Sequence, residues 1–320
     1  MISKESFRFN MRVFKFKPRR AFYVNSFIIS YFILSALVFT VHGCSSRKDE
    51  TEDKAKYLSF FLFFKAEQAA EAAKPVSSYD NIQTYFSTMN SLDVQVVYEP
   101  GAEPLAGSVT LPSSSVKTLW TLLEDNLKEV FKNRSQTVTV SVPKELSGMQ
   151  QISSQGKTSW TSTEIQALAA AYRTSKSTSS SGKFFIAFLN GYFSENGTVN
   201  QSVIGVNITG TPFIAVFKQV VNSTGDSSTV LGRATRAYVE QSTLIHEMGH
   251  ALGLVNNGVS MTSSHQDTAN GKHCTNTSCV MYYANTGTSA LAAYVQSIFL
   301  SGTNVMFKTE CLQDTQNYKP

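Results

Sequence analysis

The histidines of this 320-residue chain are concentrated in one short stretch. Four of the five fall between residues 246 and 273, and the first two belong to the segment His246-Glu247-Met248-Gly249-His250. Residues four apart share one face of a helix, so both imidazoles can reach one ion from the same side. Two histidines and a glutamate without partners would cost roughly several kcal/mol on a buried helix, a cost that a bound metal removes. A buried helix is indicated by the apolar residues around the segment, namely Leu244, Ile245, Met248, Ala251, Leu252 and Leu254.

These residue types point to zinc chemistry. Zinc suits imidazole nitrogen, and a catalytic zinc site has three protein ligands and a fourth position open to water. We therefore predict a catalytic Zn²⁺ on His246 and His250. Glu247 is predicted to be the general base, which takes a proton from water as the water attacks a carbonyl. A surface helix with two solvated histidines is the alternative, and the apolar flanks argue against it.

The sequence that follows the helix carries a second motif. Gly253 comes three residues after His250, where a glycine in the left-handed conformation can end a helix. Further on stands His273-Cys274-Thr275-Asn276-Thr277-Ser278-Cys279-Val280-Met281. Over residues 246–281 the chain resembles the metzincin clan of zinc peptidases, and within it the archaemetzincins, whose pattern joins HExxHxxGxxH to Cx4CxM.

The resemblance implies an α/β (α+β) fold of the zincin type. In it a twisted mixed sheet packs on helices that include the active-site helix, and an edge strand of the sheet pairs with extended substrate. An irregular C-terminal subdomain follows, in which Met281 forms the Met-turn. The periodicity of the sequence is compatible, because predicted strands alternate with predicted helices. We predict strands at 92–98, 138–142, 184–189, 203–208 and 213–221, and helices at 115–132, after a capping box at 161–164, and at 235–254.

The substrate-pairing edge and the third zinc ligand have to be chosen among candidates. We expect the strand at 213–221, just upstream of the active-site helix, to be that edge. Asn256 stands where the archaemetzincin pattern has its third histidine, but a neutral amide oxygen is a poor zinc ligand beside imidazole. His265 and His273 are both within reach of the intervening loop. We favour His273, because it precedes Met281 by eight residues as in the archaemetzincin pattern, and keep His265 as the alternative.

The cysteines leave two alternatives open. If Cys44 is acylated, an odd number remains outside the cytoplasm, namely Cys274, Cys279 and Cys311. One reading is a Cys274–Cys279 disulfide, and the other is a structural zinc on the three thiolates, with or without Asp314. The archaemetzincin pattern ends in a CxxC, and its nearest counterpart in this chain is Cys311-Leu312-Gln313-Asp314.

The N-terminal residues predict export. Residues 1–20 hold seven basic side chains against Glu5, and an apolar run from Ala21 to Gly43 follows. The run ends directly before Cys44, an arrangement that resembles a bacterial lipoprotein signal with an acylated cysteine. An uncleaved anchor is the alternative, because 23 apolar-leaning residues can just span a bilayer. We therefore divide the chain into a signal peptide of the lipoprotein type (1–43), a tether (44–84) and a zinc metallopeptidase domain (85–320).

Together these features predict a membrane-tethered zinc peptidase on the periplasmic face or the cell surface. It would hydrolyse peptide or protein substrates, as an endopeptidase rather than an exopeptidase. An inactive zinc-containing binding lipoprotein on the same scaffold is the alternative, and the presence of Glu247 favours the enzyme. Beyond residue 20 the chain has 21 basic and 22 acidic side chains, so its charge gives no case for a nucleic-acid partner.

Overall fold

The computed structural model describes Ser59 and residues 76–320, apart from residues 287, 302 and 303. The predicted signal peptide, Cys44 and most of the predicted tether lie outside the described residues. Residues 76–320 belong to one compact unit, Ala70–Pro320. Within the described part of the chain, no helix has both the length and the apolar character needed to cross a membrane.

Seven helices and thirteen strands can be followed in the described residues. In chain order they are α1 (Ile82–Ser87), β1 (Ser91–Tyr98), β2 (Ser108–Thr110), β3 (Val116–Thr118), α2 (Leu119–Val130), β4 (Thr139–Ser141), β5 (Gln150–Gln151), β6 (Ser159–Trp160), α3 (Ser162–Tyr172), β7 (Ser181–Leu189), β8 (Tyr192–Glu195), β9 (Thr198–Asn200), β10 (Gly205–Asn207), β11 (Phe213–Phe217), α4 (Lys218–Ser223), α5 (Val230–Ala251), β12 (Gln266–Asp267), β13 (His273–Cys274), α6 (Thr288–Ser301) and α7 (Thr309–Asn317).

The main sheet is mixed, as predicted. Its strands lie in the order β10-β11-β7-β1-β4, and β5 also pairs with β1. All of its pairings are parallel except that of β10 with β11, which is antiparallel. The centre of the sheet is the pairing of β1 with β7, which runs from Ser91 opposite Ser181 to Tyr98 opposite Phe188. Consecutive buried residues at the end of β7 are typical of a strand that is covered on both faces.

The prediction of an edge strand at 213–221 was wrong. All five residues of β11 are buried, and the strand lies between β7 and β10. The strand ends at Phe217, and α4 begins at Lys218. A continuous apolar run is the signature of an internal strand, since an edge strand keeps one side exposed. The edge of the sheet is instead the short, half-buried strand β10.

The three predicted helices are present as α2, α3 and α5, with shifted boundaries, and α1, α4, α6 and α7 were not predicted. The capping box that opens α3 is present, because Thr161 accepts a hydrogen bond from the Glu164 backbone and the Glu164 side chain bonds back to the Thr161 backbone. Helix α2 starts later than predicted, since residues 116–118 pair with β2 as a hairpin. Helix α5 is 22 residues long and starts at Val230, where the side chain of Thr229 caps it by accepting from the Gly232 N–H.

Candidate metal centre

The end of α5 holds the first two histidines in place. His246 and His250 lie one turn apart, with their Nε2 atoms 3.1 Å from each other. Gly253 has a φ of 81°, the left-handed conformation predicted for it. The Leu254 N–H donates to the Gly249 carbonyl and the Gly253 N–H donates to the His250 carbonyl, both at 3.0 Å. These two bonds form a Schellman motif, so the helix ends directly after the second histidine.

The chain then turns through an unusual backbone conformation. Val255 and Asn256 have φ values of 54° and 58°, a region that residues other than glycine rarely adopt. The Asn256 side chain is exposed, and its amide donates to Gln266 Oε1. The turn thus directs the Asn256 side chain to the loop that follows the helix.

His273 is the residue that the structure brings to the first two histidines. One ring nitrogen from each of His246, His250 and His273 can be chosen so that all three lie within 4.8 Å of one another. The His273 ring is stacked on His246 with centroids 5.2 Å apart and is perpendicular to His250 at 5.0 Å. His265, the alternative third ligand, lies instead beside Cys274, with its Nδ1 atom 3.3 Å from the Cys274 sulfur.

The donor geometry fits a tetrahedral zinc ion. Zinc–nitrogen bonds of about 2.0–2.1 Å place two ligand nitrogens about 3.3 Å apart, close to the 3.1 Å between His246 and His250. His246 Nδ1 lies 2.7 Å from the Val280 carbonyl oxygen, so Nδ1 donates to it and Nε2 carries the lone pair. His273 Nδ1 contacts the Asn270 carbonyl at 2.6 Å in the same way. Such hydrogen bonds on the second nitrogen orient metal-binding histidines.

The surroundings keep the imidazoles of His246 and His250 neutral. Burial and, to a smaller extent, the neighbouring His273 lower the pKa of His246 to about 4, against the raising effect of the hydrogen bond to Val280. Burial also lowers the pKa of His250 well below its ordinary value. Neutral imidazoles have a lone pair to offer a metal, so protons do not compete for these nitrogens near neutral pH.

Glu247 faces the same cleft as the three histidines. Its carboxylate accepts a hydrogen bond of 2.7 Å from the backbone N–H of Asn207, on the edge strand β10. Burial raises the pKa of Glu247 to about 7, and the Asn207 hydrogen bond opposes that rise. A carboxylate with a pKa near neutrality is suited to accepting and releasing a proton. The polar residues that line the cleft with it and the histidines are Asn200, Ser202, Asn207, Thr209, Asn257, Asn270 and Lys272.

Asn207 is a site residue that sequence reasoning missed. Its side-chain amide donates to the carbonyls of Thr211 and Phe213, both at 3.0 Å, and so closes the turn between β10 and β11. Its backbone N–H holds Glu247 at the same time. The only sequence signal at this position is the Asn-Ile-Thr triplet, which indicates nothing about catalysis.

Met281 packs against helix α5 at Gly249. Its side chain is fully buried, and a β-carbon at Gly249 would overlap the Met281 sulfur. The ring of Phe307 would lie 3.1 Å from the same β-carbon. Gly249 is therefore required by close packing at the point where the helix crosses the downstream segment.

The remaining cysteines form a second cluster. Cys274, Cys279 and Cys311 are fully buried, and no disulfide joins them. Cys279 and Cys311 have their sulfurs 3.6 Å apart. Asp314 is fully buried beside them and accepts from His265 Nε2 at 2.7 Å.

Comparisons with known proteins add one structural likeness. A comparison with protein-family models found no match, and a comparison with curated proteins found none. Among solved structures the chain is similar to the crystal structure of archaemetzincin from Methanopyrus kandleri, with 16% sequence identity and a TM-score of 0.36. The match covers 72% of this chain and 94% of that one.

Proposed function

We propose that this protein is a zinc-dependent peptidase of archaemetzincin-like fold. The observation that carries the proposal is the meeting of three histidines with a buried glutamate in one cleft. His246, His250 and His273 would hold the ion. When bound, zinc supplies a Lewis acid that polarises a peptide carbonyl and acidifies water.

Glu247 is the residue that handles the proton in this proposal. Its carboxylate removes a proton from the attacking water and delivers it to the leaving amine nitrogen. The Asn207 N–H keeps one carboxylate oxygen directed to the edge of the sheet, which leaves the other for the proton. Met281, pressed against Gly249, would form the Met-turn that supports the histidines from below.

The substrate proposed is an extended peptide. Strand β10 pairs with β11 along one side, and Gly205, Val206 and Asn207 of β10 line the cleft that contains the histidines. An extended peptide can add to such an edge through main-chain hydrogen bonds. We propose endopeptidase action, and a peptide blocked at both ends tests it, because an exopeptidase would leave the blocked peptide intact.

The decisive experiment combines zinc content with a peptide-library digest. Glu247→Gln is expected to keep zinc and fold while cleavage falls by about two to four orders of magnitude. Glu195→Gln, which neutralises an exposed glutamate on β8, is the matched control and is expected to cleave like the wild type. A zinc-loaded wild type that cuts nothing in the library would favour the alternative, a binding protein that keeps the metal without turnover.

We further propose that the chain is tethered to a membrane outside the cytoplasm by acylation of Cys44. The support is the order of basic residues, apolar run and cysteine within residues 1–44. Cys44→Ala is expected to shift the protein from the membrane fraction to a soluble or unprocessed form. Membrane retention at the full 320-residue mass would instead indicate an uncleaved anchor.

A further inference from the structure

The buried cysteine cluster contains a fourth donor that the sequence pattern does not reveal. His265 lies just before β12, with 4% of its surface exposed, and its Nδ1 atom faces the Cys274 sulfur at 3.3 Å. The donor atoms of His265, Cys274 and Cys311 all lie within 4.8 Å of one another. Cys279 joins them through its 3.6 Å contact with Cys311.

Two of the donor spacings match the edges of a tetrahedral metal site. Zinc bonds of about 2.3 Å to sulfur and about 2.0–2.1 Å to nitrogen separate two ligand sulfurs by about 3.8 Å and a sulfur from a nitrogen by about 3.6 Å. The two measured edges, 3.6 Å between Cys279 and Cys311 and 3.3 Å between His265 and Cys274, are within about 0.3 Å of these values.

Asp314 fixes which nitrogen of His265 can bind a metal. Its Oδ2 atom contacts His265 Nε2 at 2.7 Å, so Nε2 carries the proton and the Nδ1 lone pair points to the sulfurs. The other oxygen, Oδ1, accepts from the N–H and the hydroxyl of Thr262, at 2.6 and 2.9 Å. Both oxygens of Asp314 are therefore occupied, which assigns it to orienting the imidazole rather than to binding an ion.

We propose that Cys274, Cys279, Cys311 and His265 form a Cys₃His zinc site, with Asp314 as the residue that positions His265. In this site the loop between α5 and β13 supplies the fourth ligand, His265. Asp314, three residues after Cys311, accepts a hydrogen bond from the Nε2–H of that histidine. The proposal is independent of peptidase activity, since its donors are distinct from the three histidines of the cleft.

The proposed Cys₃His site is connected to the three-histidine site through the backbone. Cys274 directly follows His273, and Cys279 directly precedes Val280, whose carbonyl contacts His246. The Cys274 N–H also donates to the Met281 carbonyl at 2.7 Å. An ion held by the two cysteines therefore fixes both segments that touch the catalytic histidines.

Cobalt titration of the full chain under reducing conditions tests the proposal. Bound Co²⁺ should show thiolate-to-metal charge-transfer absorption in the wild type and in His273→Ala, which alters only the other cluster. His265→Ala should weaken binding of this ion by at least about tenfold and change its visible spectrum, and His265→Cys should restore tight binding. Asp314→Asn should weaken binding by about 10- to 100-fold.

Two results would overturn the assignment. One is a wild type without charge-transfer absorption, and the other is a His265→Ala variant with unchanged cobalt affinity and spectrum. If His265→Ala does not fold, ¹¹³Cd NMR of the wild-type chain decides instead, because three sulfurs and one nitrogen give a resonance distinct from three sulfurs and one oxygen.

Discussion

The contact between Gly249 and Met281 predicts how Gly249→Ala changes the free energy of unfolding. The sign of that change should depend on whether residue 281 is methionine or alanine. Adding a β-carbon at Gly249 gains about 1 kcal/mol in helix propensity. It also forces the methyl into the Met281 sulfur, and such overpacking costs about 1–3 kcal/mol. We therefore expect Gly249→Ala to lower the free energy of unfolding by up to about 2 kcal/mol.

Removing the methionine side chain should reverse that sign. Met281→Ala alone creates a cavity and is expected to cost about 2–5 kcal/mol. In that background the methyl of Gly249→Ala has room, so the propensity gain remains and the substitution should stabilise by up to about 1 kcal/mol. The edge of Phe307, 3.1 Å from the new carbon, limits the gain.

The assay is urea unfolding of the four proteins of the double-mutant cycle, in the presence of a chelator so that zinc binding does not add to stability. The cycle should give a coupling energy of about 1–3 kcal/mol between the two positions. If Gly249→Ala destabilises the wild type and the Met281→Ala variant by the same amount, α5 does not pack against Met281 at Gly249 and the prediction is wrong.

Two further predictions concern stability away from the cleft. Asp80 and Arg173 form a buried bidentate ion pair with N–O distances of 2.8 and 2.9 Å. Asp80→Ala should therefore lower the free energy of unfolding, measured by urea denaturation, by about 3–5 kcal/mol. A loss below about 1 kcal/mol would contradict a buried ion pair. Thr161→Ala should cost about 1 kcal/mol by removing the helix cap. Hydrogen bonds from Lys157 and, to a smaller extent, from Thr161 lower the pKa of Glu164 from 4.5 to about 2. The stabilisation that Glu164 provides is therefore complete above about pH 4.5 and is lost as the pH falls towards 2. Melts of the Thr161→Ala variant over that range should show a smaller loss than the wild type.

Helix α5 and its ending could be predicted from sequence because their signals are local. Apolar periodicity around His246 predicts a buried helix, and a glycine three residues after His250 predicts its end. Both signals depend only on neighbours along the chain. The longer strands of the main sheet were predictable for a similar reason, since alternation and apolar runs mark strands, whereas its mixed pairing was implied only by the resemblance to archaemetzincins.

The features that sequence missed depend on contacts between distant segments. A strand was predicted at 203–208 and β10 lies within it, but its position at the edge of the sheet was missed, because three half-buried residues are too few to show which side of a strand is exposed. The hydrogen bond between His265 and Asp314 joins residues 49 apart in sequence. The left-handed turn at Val255 is also unexpected, because a β-branched residue is strained there and no sequence rule favours it.

Asn207 gives the sharpest test of how the edge strand acts on the candidate base. Its side chain closes the β10–β11 turn through two carbonyls, while its backbone N–H holds Glu247 at 2.7 Å. Asn207→Ala keeps the N–H but releases the turn, so the carboxylate should lose its fixed position. A displacement of about 1 Å at a reacting group can cost about 100-fold in rate.

We therefore expect Asn207→Ala to lower kcat by about 10- to 100-fold, with bound zinc unchanged and with a smaller effect on KM. Asn200→Ala is the matched control, because Asn200 lines the same cleft but its side chain bonds only within its own loop, to the Ser202 N–H. Steady-state kinetics on one peptide, with zinc measured in each preparation, separates the outcomes. Loss of zinc in Asn207→Ala would mean that the strand supports the histidines, and equal kcat for both variants would mean that Glu247 is positioned without the turn.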